Sequence, residues 1–337
     1  MKMNAQECLR IGRYDKNEAH CCLWWSGSGI RLTAACKQLT LEAEHFAVEH
    51  APWLAVLVDG SPVARFPMLP GKRTYPILDG MDRAFPHEVT ILRDSQPTPD
   101  EEKPIAFYTI ESDGDIKAAP ARAKLLEFIG DSLTVGEGCA GPRGAEEWRM
   151  AWLCNAAAFP TLVSEDMQAE KRVIALSGWG AWKSWDAIEA HRLGAVYEKL
   201  CAAIPAGDIP YAFDGRKADA VVINLGTNDG NALKQEPDRE AAEKELTARC
   251  EELIRMVRRR QPGAPVIWAY GLCGYDVEKP IRDAVDNLTQ SGEPDILFLR
   301  LDDCMDDVGS RQHPSRAAHR RAAAQIEATL RGLWSET

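Results

Sequence analysis

The feature that most constrains the fold is a change of rhythm near residue 124. Beyond the segment KAAPARAK, residues 117–124, short apolar strands alternate with longer helical segments; strands are predicted at LLEFI, RVIAL, AVVINL, PVIWAY and DILFLRL. Apolar residues repeat at helical spacing at Ala242, Leu246, Cys250, Leu253, Ile254 and Val257, and again at Ala322, Ile326, Leu330 and Leu333. This alternation predicts βαβ crossovers, and therefore a mostly parallel sheet with helices on both faces.

The first third of the chain has a different pattern. Residues 6–115 contain short strand candidates separated by turns, among them QLTLEAE, WLAVLV followed by the turn pair Asp59-Gly60, HEVTILR and IAFYTI. No amphipathic helix of three turns is evident in this part. The pattern favours a β-sandwich, so two domains are predicted, at residues 1–118 and 124–337.

Composition excludes several classes of partner. The chain carries 51 acidic and 40 basic side chains, for a net charge of -11, which repels phosphate backbones and anionic membranes. Neither a secretory signal nor an apolar run of about 20 residues is present, so a cytoplasmic location is expected unless a leader was removed. The ten cysteines form no CxxC pair or zinc-ligand spacing, and we expect them to be reduced and mostly buried, with no metal or cofactor.

Loops that follow the predicted parallel strands carry small polar residues, where ligands bind in such sheets. These loops are GDSL at residues 130–133, SGWG at 177–180 and GTND at 226–229, and RQHPS at 311–315 precedes the last helix. Taken one at a time, each is typical of an ordinary turn. Together, and in this order, they contain every group that acyl transfer requires.

Acyl transfer needs a nucleophile, a base and donors for an oxyanion. Ser132 is the candidate nucleophile, at a strand-to-helix turn where its own N–H points into the site. Gly178 offers an unobstructed backbone N–H, and Asn228 a side-chain amide. His313, in a loop ahead of Pro314, is the candidate base. Asp131 is expected to hydrogen-bond the turn rather than to transfer protons.

These four residues resemble the signature of the SGNH (GDSL-type) hydrolase family. The first half, with HCCLWWSGSGIRL, WLAVLVDG and HEVTILR ahead of a GDS loop, resembles carbohydrate esterase family 2. That resemblance implies a jelly-roll-like β-sandwich joined to a three-layer α/β/α domain. It also implies a serine esterase that removes acetyl groups from sugars through an acetyl-enzyme, with an acetylated carbohydrate as partner and no cofactor.

The region before His313 departs from the family pattern. Many relatives carry an aspartate two or three residues before the histidine, where this chain has Arg311 and Ser310. An arginine there disfavours the imidazolium. Either Asp306 or Asp307 completes a triad, or a main-chain carbonyl holds the imidazole in a dyad, which the resemblance makes plausible and which we favour. His319, on an expected solvated face of the last helix, is a weaker rival base.

Three tryptophans, Trp179, Trp182 and Trp185, follow Gly178, and aromatic faces stack on sugar rings. Trp179 is the predicted substrate contact, and packing of a following helix explains Trp182 and Trp185 at least as well. Trp24 and Trp25 are expected in core or interdomain packing. Two other functions remain open: a lipase or thioesterase, and a carbohydrate-binding protein with a silenced hydrolase core. The sugar and the oligomeric state are not predicted.

Overall fold

A computed structural model of the chain describes residues 1–335 and contains two compact units. The first comprises Met1–Ala123, Arg149–Ala151 and Lys199–Tyr211, and the second comprises Lys124–Trp148, Trp152–Glu198 and the chain from Ala212 onward. The predicted boundary at residues 118–124 does not account for the two short segments of the first unit that come later in the chain. The order of strand and helix patterns along the sequence does not indicate that these two later segments belong to the first unit.

The first unit contains two antiparallel sheets. Its strands are β1 (Lys2–Asn4), β2 (Leu9–Ile11), β3 (Cys21–Leu23), β4 (Gly29–Ala35), β5 (Gln38–Glu44), β6 (Trp53–Val58), β7 (Ser61–Pro67), β8 (Arg73–Asp79), β9 (His87–Arg93), β10 (Ile105–Ser112) and β11 (Asp115–Ala118). One sheet has the order β1-β10-β5-β8 with β3 beside β10, and the other β11-β4-β9-β6-β7 with β2 beside β4. The inward residues of both sheets, such as Leu41, Val56 and Phe107, form one apolar core.

The turn pair Asp59-Gly60 closes a hairpin, as its sequence predicts. Both residues have positive φ, 50° and 78°, as the right-handed twist of a two-residue hairpin requires. Strands β6 and β7 pair antiparallel on either side of it, with Val58 opposite Ser61. The two-residue turn therefore sets the register of β6 against β7 where the hairpin closes.

The second unit contains a parallel five-stranded sheet in the order β13-β12-β14-β15-β16. Its strands are β12 (Lys124–Gly130), β13 (Ala169–Ala175), β14 (Ala220–Asn224), β15 (Val266–Leu272) and β16 (Ile296–Asp303). Its helices are α1 (Ser132–Val135), α2 (Phe159–Asp166), α3 (Leu193–Val196), α4 (Thr227–Leu233), α5 (Arg239–Arg260), α6 (Glu278–Gln290) and α7 (Arg316–Ser335). This is the predicted fold class, a three-layer α/β/α unit after a β-sandwich, and it is confirmed.

Helix packing follows the apolar stripes of the sequence. In α5 the buried residues are the six that repeat at helical spacing, from Ala242 to Val257. Helices α5 and α6 pack together on one side of the sheet, and α2 and α7 pack together on the other. Short 3-10 turns, including Ser310–Gln312, complete the unit.

Register at the sheet centre brings three loops together. Gly130 at the end of β12 pairs with Ala175 of β13 on one side and with Asn224 of β14 on the other. The loops that follow these three strands therefore leave the same edge of the sheet from adjacent positions.

Two sequence-based expectations concern the chain as a whole. All ten cysteines are free thiols in the structure, and eight of them are buried. Within residues 1–335, no helix is both long and apolar enough to cross a membrane.

His319 occupies an unexpected place. The sequence suggests a solvated face of α7, but the side chain is fully buried, and its Nδ1 accepts a hydrogen bond of 3.3 Å from the N–H of Phe159 in α2. The expectation was wrong because α7 packs against α2, and His319 lies on the buried side of α7 together with Ala318, Ala322 and Ala323. Burial, with a smaller effect of His313, lowers the pKa of His319 to about 3.

We expect this histidine to make the protein acid-sensitive. Because its pKa is about 3 when folded and near 6.5 when unfolded, its contribution to stability is present above pH 6.5 and lost as the pH falls towards 3. His319→Gln keeps an acceptor for Phe159 without a titrating group. Its free energy of unfolding in urea should fall between pH 7 and pH 5 by about 2 kcal/mol less than that of the wild type. Equal losses in the two proteins would contradict this.

Candidate active site

Ser132 lies where β12 passes into α1. The chain turns at Asp131, whose carboxylate accepts a 3.0 Å hydrogen bond from the N–H of Leu133 and caps the short helix. Gly136 ends that helix in the left-handed region, with φ 89°. Ser132 is 6% exposed, so its hydroxyl lies in a nearly closed site.

His313 contacts Ser132 directly. Its Nε2 lies 2.9 Å from the Ser132 Oγ, and its Nδ1 lies 2.8 Å from the carbonyl oxygen of Arg311. A carbonyl only accepts, so Nδ1 carries the proton and Nε2 is the acceptor for the serine hydroxyl. This is the tautomer that a general base requires. His319, the rival, is buried against Phe159 instead.

The contacts of His313 correspond to the dyad arrangement. Neither candidate third member is bonded to the imidazole. Asp307 accepts hydrogen bonds from the Ser315 hydroxyl at 2.6 Å and from the Arg321 guanidinium at 2.8 Å, which lower the pKa of its carboxyl. Asp306 is exposed. The carbonyl of Arg311 accepts the hydrogen bond from Nδ1 that an aspartate would otherwise accept.

Two backbone N–H groups are available beside the serine. The N–H groups of Ser132 and Gly178 have no hydrogen-bond acceptor anywhere in residues 1–335. Gly178 has φ 84°, and a Cβ there would lie 2.9 Å from the Trp185 ring, so this position favours glycine on both counts. Within the described residues, two of the three predicted oxyanion donors therefore have no acceptor of their own and can bind an oxyanion.

Asn228 is the third predicted donor, and its amide is already engaged. Its Nδ2 donates to Oδ2 of the Asp131 carboxyl group at 3.1 Å and to the Trp179 carbonyl at 2.9 Å. These two bonds join the loops after β12, β13 and β14 into one cluster. An amide nitrogen has two hydrogens, so a further acceptor at this site has to share one of them.

Asp229 anchors the loop after β13, a role that the sequence reading missed. Its carboxylate accepts backbone hydrogen bonds from Ala181 at 3.0 Å, Trp182 at 2.7 Å and Lys183 at 3.1 Å. It is fully buried, and burial raises the pKa of its carboxyl despite these bonds. An acid directly after the candidate oxyanion asparagine was the available signal.

Asp131 is also a buried acid. Burial raises the pKa of its carboxyl to about 8; the hydrogen bond from Leu133 opposes this, and the charges of Asp229 and Glu137 add to it. Below pH 8 the group is therefore mainly neutral. This agrees with a role in hydrogen bonding rather than in proton transfer.

The tryptophans differ from expectation. Trp182 is fully buried and Trp185 is 59% exposed, so core packing explains the first and not the second; the expected following helix is present after neither, because the next helix, α3, begins at Leu193. Trp179 is half-buried and stacks on His191 at 5.0 Å between ring centroids. Trp24 and Trp25 are buried in the first unit.

Metal ligands are not clustered in the part of the chain that the structure describes. Among those residues, no group of three or more His, Cys, Asp or Glu side chains is arranged to hold a metal ion.

Sequence comparison identifies the family. The profile of the GDSL-like Lipase/Acylhydrolase family matches residues 128–331, more than half of the chain and the whole of the cluster around Ser132. The chain belongs to this family. The serine, glycine, asparagine and histidine predicted from the four loops all lie within the matched residues. The structure brings these four residues to one edge of the sheet.

Three relatives illustrate the similarity. An acetyl xylan esterase from the rumen bacterium Butyrivibrio proteoclasticus is 25% identical with a TM-score of 0.93, over 99% of this chain and 98% of its own. A family two carbohydrate esterase from Clostridium thermocellum, solved with cellohexaose, is 22% identical with a TM-score of 0.85, over 97% and 99%. The cellulase/esterase CelE of Acetivibrio thermocellus is 23% identical over 96% of this chain, which spans only 39% of that protein.

We expect Asp229 to be essential for the loop that carries Gly178. Asp229→Asn replaces one acceptor oxygen by a donor that faces backbone N–H groups. The free energy of unfolding in urea should fall by about 1–3 kcal/mol, and ester hydrolysis should fall with it.

Asp238→Asn is the matched control for this variant. Asp238 caps α5 through one backbone N–H at 3.0 Å, a role that asparagine fills equally well. A loss in Asp238→Asn as large as that in Asp229→Asn would argue against the anchoring role.

Proposed function

We propose that this protein is a carboxylic ester hydrolase, a serine esterase that removes acetyl groups from sugars or oligosaccharides. The observation that carries the proposal is the pair of hydrogen bonds on His313. Nδ1 is fixed by a carbonyl, and Nε2 faces the Ser132 hydroxyl at 2.9 Å. A serine bonded to a histidine of this tautomer is ready to lose its proton.

Acylation begins when Ser132 Oγ attacks the acetyl carbonyl and His313 Nε2 takes its proton. Negative charge then develops on the carbonyl oxygen, and the free N–H groups of Ser132 and Gly178 are suited to receive it. Asn228 contributes when its Nδ2 also donates to this oxygen one of the hydrogens that it donates to Asp131 or to the Trp179 carbonyl. His313 returns its proton to the sugar oxygen as the C–O bond breaks.

Deacylation repeats these steps with water. His313 Nε2 removes a proton from the water, the hydroxide attacks the acetyl-serine, and the same donors bind the second oxyanion. Ser132 recovers its proton from His313 as acetate leaves. Each proton is exchanged at one imidazole nitrogen, so no further acid or base is required.

Support for a sugar substrate comes from Trp185 and from the relatives. The exposed Trp185 ring approaches Gly178 through its Cδ1 and Nε1 atoms, so an exposed indole lies beside this candidate oxyanion donor. One relative carries the name acetyl xylan esterase, and another was solved with cellohexaose. Acetylated xylo-, manno- and gluco-oligosaccharides are therefore the substrates to test. A lipid or thioester hydrolase would instead prefer long acyl chains.

Acetate release from these oligosaccharides is the direct test of the proposal. Ser132→Ala should abolish release and also abolish labelling by a fluorophosphonate, because both need the serine oxygen. Asn228→Ala should lower the rate roughly a hundred- to a thousandfold, the usual loss when one oxyanion donor is removed. Asp307→Ala, which removes a carboxylate that the imidazole does not contact, is the control and should stay within about threefold.

Two outcomes would contradict the proposal. Persistent hydrolysis of acetyl esters by purified Ser132→Ala would exclude a serine nucleophile. Faster hydrolysis of long-chain than of short-chain p-nitrophenyl esters would favour the lipid reading instead.

Trp185 is expected to bind the sugar rather than to support the chemistry. Trp185→Ala should raise KM for an acetylated oligosaccharide about three- to tenfold, the worth of one aromatic stacking contact. Hydrolysis of p-nitrophenyl acetate should hardly change, because this ester transfers the same acetyl group but has no sugar ring to stack on Trp185. The KM of Trp185→Phe for the oligosaccharide should lie between those of the wild type and Trp185→Ala, because phenylalanine keeps a flat aromatic face. An equal loss on both substrates would assign Trp185 to the fold of the loop.

A further inference from the structure

His313 has a cation as a close neighbour in the chain. Arg311 lends its carbonyl to Nδ1 and carries a guanidinium in the region where many relatives have an aspartate. A nearby positive charge disfavours the imidazolium that must form when Ser132 loses its proton. The dyad therefore lacks the negative charge that an aspartate would supply, and it has gained a positive one.

Glu137 lies between these two groups. Its Oε1 is 2.9 Å from the Arg311 Nε, and its Oε2 is 4.0 Å from the His313 Nε2. Its side chain is 4% exposed, so water screens the Glu137 carboxylate little, whereas the Arg311 side chain is 37% exposed. The contact with Arg311 is an ion pair without aligned hydrogen-bond geometry, which suits an electrostatic role.

The fold fixes this position closely. Glu137 follows Gly136, which ends α1, and its N–H donates to the Ser132 carbonyl at 2.9 Å. Gly138, with φ 75°, passes so near the histidine that an added Cβ would lie 2.6 Å from the His313 Cβ. The segment that contains the candidate nucleophile, Ser132, thus also places the Glu137 carboxylate near the candidate base, His313.

We propose that Glu137 is a positioning residue that supplies the negative charge missing beside His313. It neutralises Arg311 and stabilises the imidazolium from the Nε2 side, while the Arg311 carbonyl holds Nδ1. This inference rests on the proposed function, because it assigns Glu137 a task in the Ser132–His313 proton transfer.

The other charged groups around Glu137 do not supply the negative charge beside His313. Arg311 and His313 face it from the loop before α7, and Asp131 interacts with it from the start of α1. Burial raises the pKa of Asp131 to about 8, so that carboxyl is mainly neutral at pH 7. Asp307 is held by Ser315 and Arg321. Among these groups, Glu137 is the one whose carboxylate lies 4.0 Å from the His313 Nε2.

Glu137→Gln is the test, because glutamine keeps the shape and removes the charge. We expect kcat on a short-chain acetyl ester to fall about tenfold or more, with KM within about twofold. The pH at which activity is half-maximal on the acid side should move down by about one unit, since the imidazolium loses a stabilising charge. Glu240→Gln, on the exposed face of α5, is the control and should change neither quantity.

A second variant separates charge from structure. In Glu137→Gln/Arg311→Gln the repelling cation is removed as well, so kcat should recover to within a few fold of the wild type. If the double variant is as slow as Glu137→Gln or slower, Glu137 has a structural role and the proposal fails. It fails equally if Glu137→Gln keeps its rate and its pH profile.

The rate of fluorophosphonate labelling keeps this test independent of the sugar substrate. Labelling needs only the reactivity of Ser132, so the same losses and recovery should appear in its rate and pH dependence. A wild type that is labelled but releases no acetate would overturn the proposed function while Glu137 could still be tested. A wild type that is not labelled at all would overturn both.

Discussion

The hydrogen bond between His313 Nδ1 and the Arg311 carbonyl is the constraint on which the site depends. It fixes the proton on Nδ1, so Nε2 is left as the acceptor for Ser132. The backbone makes this bond by an unusual path, because Arg311 and Gln312 both have positive φ, 54° and 55°. Each costs on the order of 1 kcal/mol or more, and such strain persists only where the surroundings hold it in place. Here the Arg311 N–H donates to the Ala145 carbonyl, and Gly138 accepts from Ser310.

The rest of the cluster depends on the parallel register of β12. Because its last residue, Gly130, pairs with β13 on one side and β14 on the other, three loops begin at neighbouring points. Their backbone hydrogen bonds alone do not hold them together. The Asn228 amide ties Asp131 to the carbonyl of Trp179, and Asp229 holds the residues that follow. The same asparagine that the sequence suggests as an oxyanion donor therefore also serves as a structural link, and its catalytic use has to compete with that role.

Sequence patterns were sufficient wherever the signal was local. Strands β5, β6 and β9 have the predicted limits, and the stripe of α5 is buried residue by residue, because period and polarity follow from burial of one face. The four loops were found because small polar residues follow each strand. Features that depend on distant packing could not be read in this way. His319 is buried by α2, Trp185 is exposed although Trp182 and Ser184 are buried, and a carbonyl as partner of His313 leaves no mark in side-chain patterns.

Burying three acids near one serine is costly, and the cost is reduced in a different way for each of them. Asp229 satisfies its oxygens with three backbone N–H groups. Asp131 remains mainly neutral, since burial raises the pKa of its carboxyl to about 8. Glu137 is paired with Arg311. Arg311 therefore serves the site twice, since its carbonyl orients the imidazole while its guanidinium allows a carboxylate to be buried beside it. An arginine that looks unfavourable for the base in the sequence becomes, with Glu137, part of a balanced charge pair next to His313.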